Sequence, residues 1–184
     1  MKDIIRDVTE SNLNDVPEPC KSCLYWSFPE EFDWTKRKVS EWKQKYERKK
    51  KQWITQTLSE FGSCGKILYH NNAPAGYAEY GPSNRFLQIK EYKSHPVGKI
   101  EDGIVFLSCL YIADKNLRGK GLGERLLDSI IADLKTRGFK AVETFALRSS
   151  SNNPSGPVEL YLKKGFHIKD ETNPVFPLVR LDFS

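Results

Sequence analysis

Residues 103–135 constrain this chain more tightly than any other segment. Gly103-Ile104-Val105-Phe106-Leu107-Ser108-Cys109-Leu110-Tyr111-Ile112 is a nearly continuous apolar run, the pattern of a central strand buried on both faces. The glycine-rich turn Arg118-Gly119-Lys120-Gly121-Leu122-Gly123 follows it. Leu122, Leu126, Leu127, Ile130, Ile131 and Leu134 then recur at helical spacing until Arg137-Gly138 stops the pattern. Strand, glycine turn and amphipathic helix therefore succeed one another without a break.

The flanking segments extend this unit into a mixed sheet. Asp3-Ile4-Ile5-Arg6-Asp7-Val8 alternates as a first strand, with Thr9 and Ser11 as capping residues after it. Residues 16–33 mix prolines, Cys20, Cys23 and aromatics, which predicts an ordered loop packed against the body of the protein. From about Thr35 to Phe61 a helix is expected, with Val39, Trp42, Tyr46, Trp53, Thr57, Leu58 and Phe61 on the apolar stripe and the lysines opposite. Residues 66–69 and 75–80 read as a hairpin turning at His70-Asn71-Asn72. After 103–135 come a buried strand at 141–147, a Ser/Asn/Pro/Gly loop at 149–157, a short helix at about 158–164 and two final strands, 166–168 and 177–183, expected to be antiparallel neighbours. No internal repeat occurs, so the architecture expected is one α/β domain over residues 1–184, a mixed sheet with helices on both faces.

The glycine turn carries the chemistry. Glycine permits backbone angles that a side chain forbids and lets backbone approach a ligand closely. Amides of the turn and the first helical turn, with the positive end of the helix dipole, form an anion site suited to phosphate. Arg118 and Lys120 add positive charge. Two nucleotide motifs fail on spacing. A P-loop requires Gly-Lys-Ser/Thr, but Leu122 follows Gly121; a dinucleotide fingerprint requires Gly-x-Gly-x-x-Gly, but Gly119-x-Gly121-x-Gly123 is what stands here.

Arg118-Gly119-Lys120-Gly121-Leu122-Gly123 resembles the Arg/Gln-x-x-Gly-x-Gly/Ala signature of the GNAT superfamily of acetyl-CoA-dependent N-acetyltransferases, and Tyr161-Leu162-Lys163-Lys164-Gly165-Phe166 resembles that family's Tyr-x-x-x-Gly-Phe segment. The resemblance implies a six- or seven-stranded mixed sheet splayed between strands 4 and 5, with acetyl-CoA as co-substrate in the split. It implies backbone contacts from Leu110, Tyr111 and Ile112 to the pantetheine arm, a pyrophosphate held over Arg118, Gly119, Lys120, Gly121, Leu122 and Gly123, and a further contact from Asn152 or Asn153. Residues 103–166 would then hold the cofactor and 9–61 the acceptor. Direct attack of an amine on the thioester in a ternary complex is the reaction implied, with Tyr161 protonating the departing thiolate. Glu79, Glu101 and Asp102 are the carboxylates nearest to serving as base, without a sequence reason to prefer one. Many members of the family dimerise, which makes a homodimer an expectation.

The remaining features bound the alternatives. Four cysteines in 184 residues are too few for a secreted disulfide framework, and neither a signal segment nor an 18-residue apolar run occurs, so a cytoplasmic protein without a membrane span is expected. Cys20-x-x-Cys23 lacks a second ligand pair, so no metal is expected, and Cys109 reads as a small core residue without a nearby histidine among His70, His95 and His167. Residues 36–51 hold nine Lys or Arg against two Glu, a local charge of +7 that leaves −2 for the rest of a +5 chain. That basic segment raises a rival reading, a nucleic-acid-binding module or a non-catalytic acyl-CoA sensor. Trp42, Tyr46 and Trp53 fall on the apolar stripe, however, where they are unavailable for base stacking. The acceptor expected is a small-molecule or peptide amine.

Overall fold

The computed structural model describes residues 3–92, 97–149 and 153–184. Seven strands, β1 (Asp3–Asp7), β2 (Gly65–His70), β3 (Ala73–Gly81), β4 (Ile104–Ile112), β5 (Ala141–Phe145), β6 (His167–Asp170) and β7 (Leu178–Asp182), form one sheet in the order β1-β2-β3-β4-β5-β7-β6. Neighbours are antiparallel except β4 and β5, which run parallel. A parallel pair requires a crossover, and α2 (Leu122–Thr136) provides it. Asn71 and Asn72, both at positive φ, make the tight β2–β3 turn for which asparagine is suited.

The alternation of β4 divides the core into two layers. Val105 and Leu107 point to one face, where Leu122, Leu126, Leu127, Ile130 and Leu134 of α2 and Val158 and Tyr161 of α3 (Val158–Lys163) cover them. Phe106 points to the other face, against Trp53 and Ile54 of α1 (Ser40–Phe61) and against Trp26 and Phe145. Burying each leucine or isoleucine of α2 contributes about 2 kcal/mol before entropy is counted, so helix and sheet hold each other in register.

Two expectations for the basic helix are corrected. The helix begins at Ser40, after a 3-10 turn at Lys36–Lys38, and Val39 is half exposed in extended backbone instead of lying on the stripe. The cause is local: the Asp33 carboxylate accepts from the Thr35 and Lys36 amides and from the Thr35 hydroxyl, closing a turn that competes with helix. Lys50 departs from the solvated face altogether and is buried between Tyr46 and Trp53. Residues 16–33 form the packed loop expected, with Val16, Cys20, Leu24 and Trp26 in the interior.

β4 and β5 pair only over Ile104–Phe106 and Ala141–Glu143. Just beyond, the β3–β4 register shifts between Glu79 and Tyr80, leaving Ser108 as an extra residue between Leu107 and Cys109. Such a bulge bends and twists its strand. The sheet therefore opens immediately after Phe106.

Candidate active site

Two cavities border the opening. The first, about 380 Å³, is walled by the end of β4 and the glycine turn. Leu110, Tyr111, Ile112, Arg118, Gly119, Gly121, Leu122, Gly123 and Asn153, nine of the ten cofactor residues expected from sequence, line it together. Lys120 is exposed and stands outside the lining, so its charge acts only from the rim. Asn152 lies outside the described residues.

The geometry of this glycine-turn cavity explains its composition. Gly119 and Gly121 have φ of +71° and +77°, and a Cβ at either would meet no atom within 4 Å. Packing does not demand glycine there; backbone conformation and an open approach do. Gly121 is the N-cap of α2, whose first amides have no partner within the helix and form an anion site with the helix dipole. Arg118 braces the turn: its Nε donates to the Ile112 carbonyl at 2.9 Å, a terminal nitrogen donates to the Tyr111 hydroxyl at 2.8 Å, and the guanidinium lies over the Tyr111 ring. At the rim, Lys163 and Lys164 hold the Glu124 carboxyl below the usual carboxylate range.

Because Ala113 donates to Ala75 on the β3 side, alternation turns the backbone groups of Leu110 and Ile112 toward the opening. Both strand residues occupy the expected edge, but not as bare hydrogen-bonding groups. The Leu110 amide donates to the Pro154 carbonyl at 2.7 Å, and the Ile112 carbonyl is taken by Arg118. Buried backbone groups seek partners, and the loop after β5 is the nearest source.

The second cavity, about 280 Å³, lies on the α1 face. Tyr25, Trp26, Trp34, Tyr92 and Phe176 form its aromatic walls; Trp26 stacks on Tyr92 at 5.2 Å between ring centroids, and Tyr92 on Phe145 at 4.3 Å. Its charged lining residues are Lys50 and Glu79, an ion pair at 2.5 Å with both side chains at most 5% exposed. The Tyr77 hydroxyl also donates to Glu79 Oε2, at 2.9 Å, and the Ser108 hydroxyl to Oε1, at 3.3 Å. Burial is the largest influence on the Lys50 ammonium and pulls it down, but the charge and hydrogen bond of Glu79, together with the neighbouring Cys23 and Cys20, raise it above its ordinary value.

Cys20, Cys23 and Cys109 line this aromatic cavity together, a grouping that Cys20-x-x-Cys23 alone did not suggest. A hydrogen bond to Cys20 and burial raise the Cys109 thiol, and burial pushes Cys23 up to about 11. Such thiols are protonated at neutral pH and weakly nucleophilic. Among the described residues no group of three or more His, Cys, Asp or Glu is placed to hold a metal ion. His70 pairs with Asp3 and His167 with Asp182, away from the thiols, and His95 lies outside the described residues.

Tyr161, the residue expected to protonate the departing thiolate, lies in the interior close to Cys109. It is fully buried, lines neither cavity, and donates its hydroxyl proton to the Ser155 carbonyl at 2.7 Å. The ring belongs to the core under α2, which turns the hydroxyl toward the underside of the 155–156 backbone and toward Thr144. Of the three carboxylates considered, Glu79 reaches the opening, whereas Glu101 and Asp102 sit in a 3-10 turn before β4, at the opposite end of that strand. Lys50, Tyr77, Tyr92 and Phe176 were absent from the sequence-derived site. Lys50 alone left a signal, since 46, 50, 53 and 57 fall on one helical stripe.

Four of the nine basic residues of the segment meet a carboxylate: Arg37 and Lys43 at Glu18, Lys49 at Glu31, and Lys50 at Glu79. Tyr46 and Trp53 are buried, whereas Trp42 is only partly so and lies under the Lys36 and Lys45 ammonium groups. Among the described residues no helix is long and apolar enough to cross a membrane.

The whole chain superposes on solved structures of low sequence identity. The PaiA N-acetyltransferase of Thermoplasma acidophilum, solved with coenzyme A, matches with a TM-score of 0.62 at 16% identity over 100% of both chains. An N-acetyltransferase from Staphylococcus aureus Mu50 gives 0.58 at 18% over 99% of both. A GNAT family acetyltransferase from Brucella melitensis, solved with acetyl-CoA, gives 0.56 at 13%, covering 100% of this chain and 89% of that one. No curated protein sequence matches the chain. The sequence model of the acetyltransferase (GNAT) family matches residues 23–166, well over half of the chain, and with the splayed seven-stranded sheet and its glycine turn this places the protein in the GNAT family of acyl-transferring enzymes.

Proposed function

We propose that the protein transfers an acetyl group from acetyl-CoA to an amine, with the donor in the glycine-turn cavity and the acceptor in the aromatic cavity. One observation carries this reading: the cavities lie side by side along β4 and the loop after β5. Asn153 lines both, and of two consecutive β4 residues Cys109 faces the aromatic cavity and Leu110 the other. Two reactants held on either side of Asn153 are brought together without diffusing, which lowers the barrier of a bimolecular reaction.

The residues present fit the donor. Amides at Gly119–Gly123 hold its pyrophosphate, and the open space above Gly119 and Gly121 admits it. Leu110 and Ile112 offer an edge for its pantetheine arm, which takes the Leu110 amide from Pro154. Bound acetyl-CoA supplies the thioester. The chain's own part is to orient the amine, exclude water with the Trp26–Tyr92 wall and hold Asn153 at the junction, where its side chain accepts from the Ser155 amide. Tyr161 serves as a positioning residue through Ser155, fixing the backbone that separates the cavities.

The test is acetyl-CoA-dependent release of free thiol with a panel of amines, alongside calorimetry with CoA on the wild type and Gly121→Val. Binding of CoA by the wild type, weakened by the valine, with amine-dependent thiol release, is expected. No heat at millimolar CoA and no release with any amine would sink the reading.

A further inference from the structure

We propose that Asn153 is a catalytic residue of the transfer: its side-chain amide donates to the thioester oxygen as that oxygen gains negative charge. This rests on the donor and acceptor assignments above and adds a reacting group to them. Placement is the first argument. Among the described residues Asn153 alone lines both cavities, so its side chain borders the place where a molecule in one meets a molecule in the other.

A local bond sets the orientation. The two ends of an asparagine amide are alike in outline, and hydrogen bonding decides which atom points where. The Ser155 backbone N–H donates to Asn153 Oδ1 at 2.8 Å. An N–H requires an acceptor, so the oxygen faces the loop and Nδ2 is turned away from it. The Asn153 carbonyl in turn accepts from the Gly156 amide at 3.0 Å, which fixes the main chain beneath the side chain. Among the described residues nothing accepts from Nδ2, and its N–H groups are left for a ligand. Other polar side chains of the aromatic cavity are engaged: Lys50 and Tyr77 bond Glu79, and the Tyr25 and Tyr92 hydroxyls bond each other.

Acyl transfer needs such a donor. As the amine nitrogen bonds to the carbonyl carbon, an electron pair moves onto the carbonyl oxygen. That pair returns as the carbon–sulfur bond breaks; the sulfur leaves as a thiolate and the surplus proton on nitrogen passes to solvent. Asn153 neither gains nor loses a proton. It holds a fixed dipole toward charge that exists only in transit, and a hydrogen bond to an anionic oxygen is stronger than one to a neutral carbonyl. The benefit therefore falls on rate more than on binding. Removing one donor of this kind costs on the order of a hundredfold in kcat.

The experiment is difference infrared spectroscopy of acetyl-CoA, isotopically labelled at its thioester carbonyl and bound to the full chain, with calorimetry of CoA alongside. Wild type, Asn153→Ser and Asn153→Asp are compared. Both replacements keep a side-chain oxygen that can accept from the Ser155 amide, and both lack the NH2 group. In the wild type the carbonyl stretch should lie below that of free acetyl-CoA, and in both variants it should return toward the free value. For Asn153→Ser, CoA affinity should stay within about twofold, while thiol release at saturating acetyl-CoA, with the panel amine that the wild type uses fastest, falls on the order of a hundredfold. An unshifted carbonyl in the wild type overturns the inference without any variant, as does a shift that survives in both variants. A loss of CoA affinity of about tenfold in Asn153→Ser with undiminished release at saturation also overturns it, and makes Asn153 a contact to the pantetheine arm. Amine-dependent release with an unshifted carbonyl refutes this role and leaves the transferase reading standing. Absence of binding by both CoA and acetyl-CoA defeats that reading, and this inference falls with it.

Discussion

The glycine-turn cavity and the aromatic cavity share β4 and Asn153 but are built from different material. The first is mostly one contiguous stretch, residues 110–124, a strand edge, two glycines at positive φ and the start of α2, closed by Asn153, Gly156, Pro157 and Leu160. The second is lined from six stretches, near 19–34, 50, 77–92, 109, 153–155 and 176, with side chains forming most of its walls. A backbone site recognises what is common to its ligands, the phosphate and the amide-rich arm, and tolerates sequence change wherever the turn survives. A side-chain site recognises what differs between ligands, and each substitution alters it. The contrast matches a donor common to a family and an acceptor particular to one member.

The largest test strikes the aromatic side. Lys50→Met leaves Glu79 buried without its cation and should destabilise the protein by about 3–5 kcal/mol in denaturant titration, while the double change to Met and Leu recovers most of that. If the single change costs under 1 kcal/mol, the ion pair is not the floor of a dry cavity. Next comes the backbone side: at φ +77° a β-branched residue is strained, so Gly121→Val should cost about 1–3 kcal/mol and weaken CoA binding tenfold or more. Unchanged CoA affinity would remove the distinction between the cavities.

Smaller effects sharpen the comparison. Tyr161→Phe removes the donor to the Ser155 carbonyl and should cost about 1 kcal/mol. If Tyr161 acts only through that carbonyl, the rate with a fixed amine should fall without a change in its pH profile. Gly123→Ala separates stability from binding at one position. Gly123 lies inside α2 at an ordinary φ with room for a methyl, so alanine should raise stability by about 0.5–1 kcal/mol while reducing CoA affinity, if amides there approach phosphate closely. The last is a pH effect on the α1 face. Burial pushes Cys64 from 9.0 up to about 12 and Cys23 up to about 11. A raised acid keeps its stabilisation below the unfolded value and loses it as pH rises toward the folded one. Denaturant midpoints should therefore decline from about pH 9 toward 11, less steeply in Cys64→Ala; an identical slope in that variant would refute the attribution.

Legibility in the sequence followed the same division. The β4–turn–α2 unit was readable because its determinants are local: an apolar run, glycines in a fixed order and a 3.6-residue stripe all act within about 30 residues. Local competition could still mislead, as at Asp33, whose side chain closes a turn and delays the helix to Ser40. Tyr161 falls on the short helix read from the sequence, but the bond from its hydroxyl to the Ser155 carbonyl was not legible, because the segment pattern specifies its element and not which atom its hydroxyl meets.

The sequence by itself determined the order of elements and the glycine turn between the central strand and its helix, because periodicity and glycine chemistry operate between near neighbours. Only the tertiary structure decided that Lys50 turns inward to Glu79, that three distant cysteines share one cavity, and that Pro154 caps the Leu110 amide. Those contacts join residues up to 89 positions apart, as between Cys20 and Cys109, and no local pattern encodes them. They arise where the sheet's bulge at Ser108 and the loop over α1 meet, after the chain has folded.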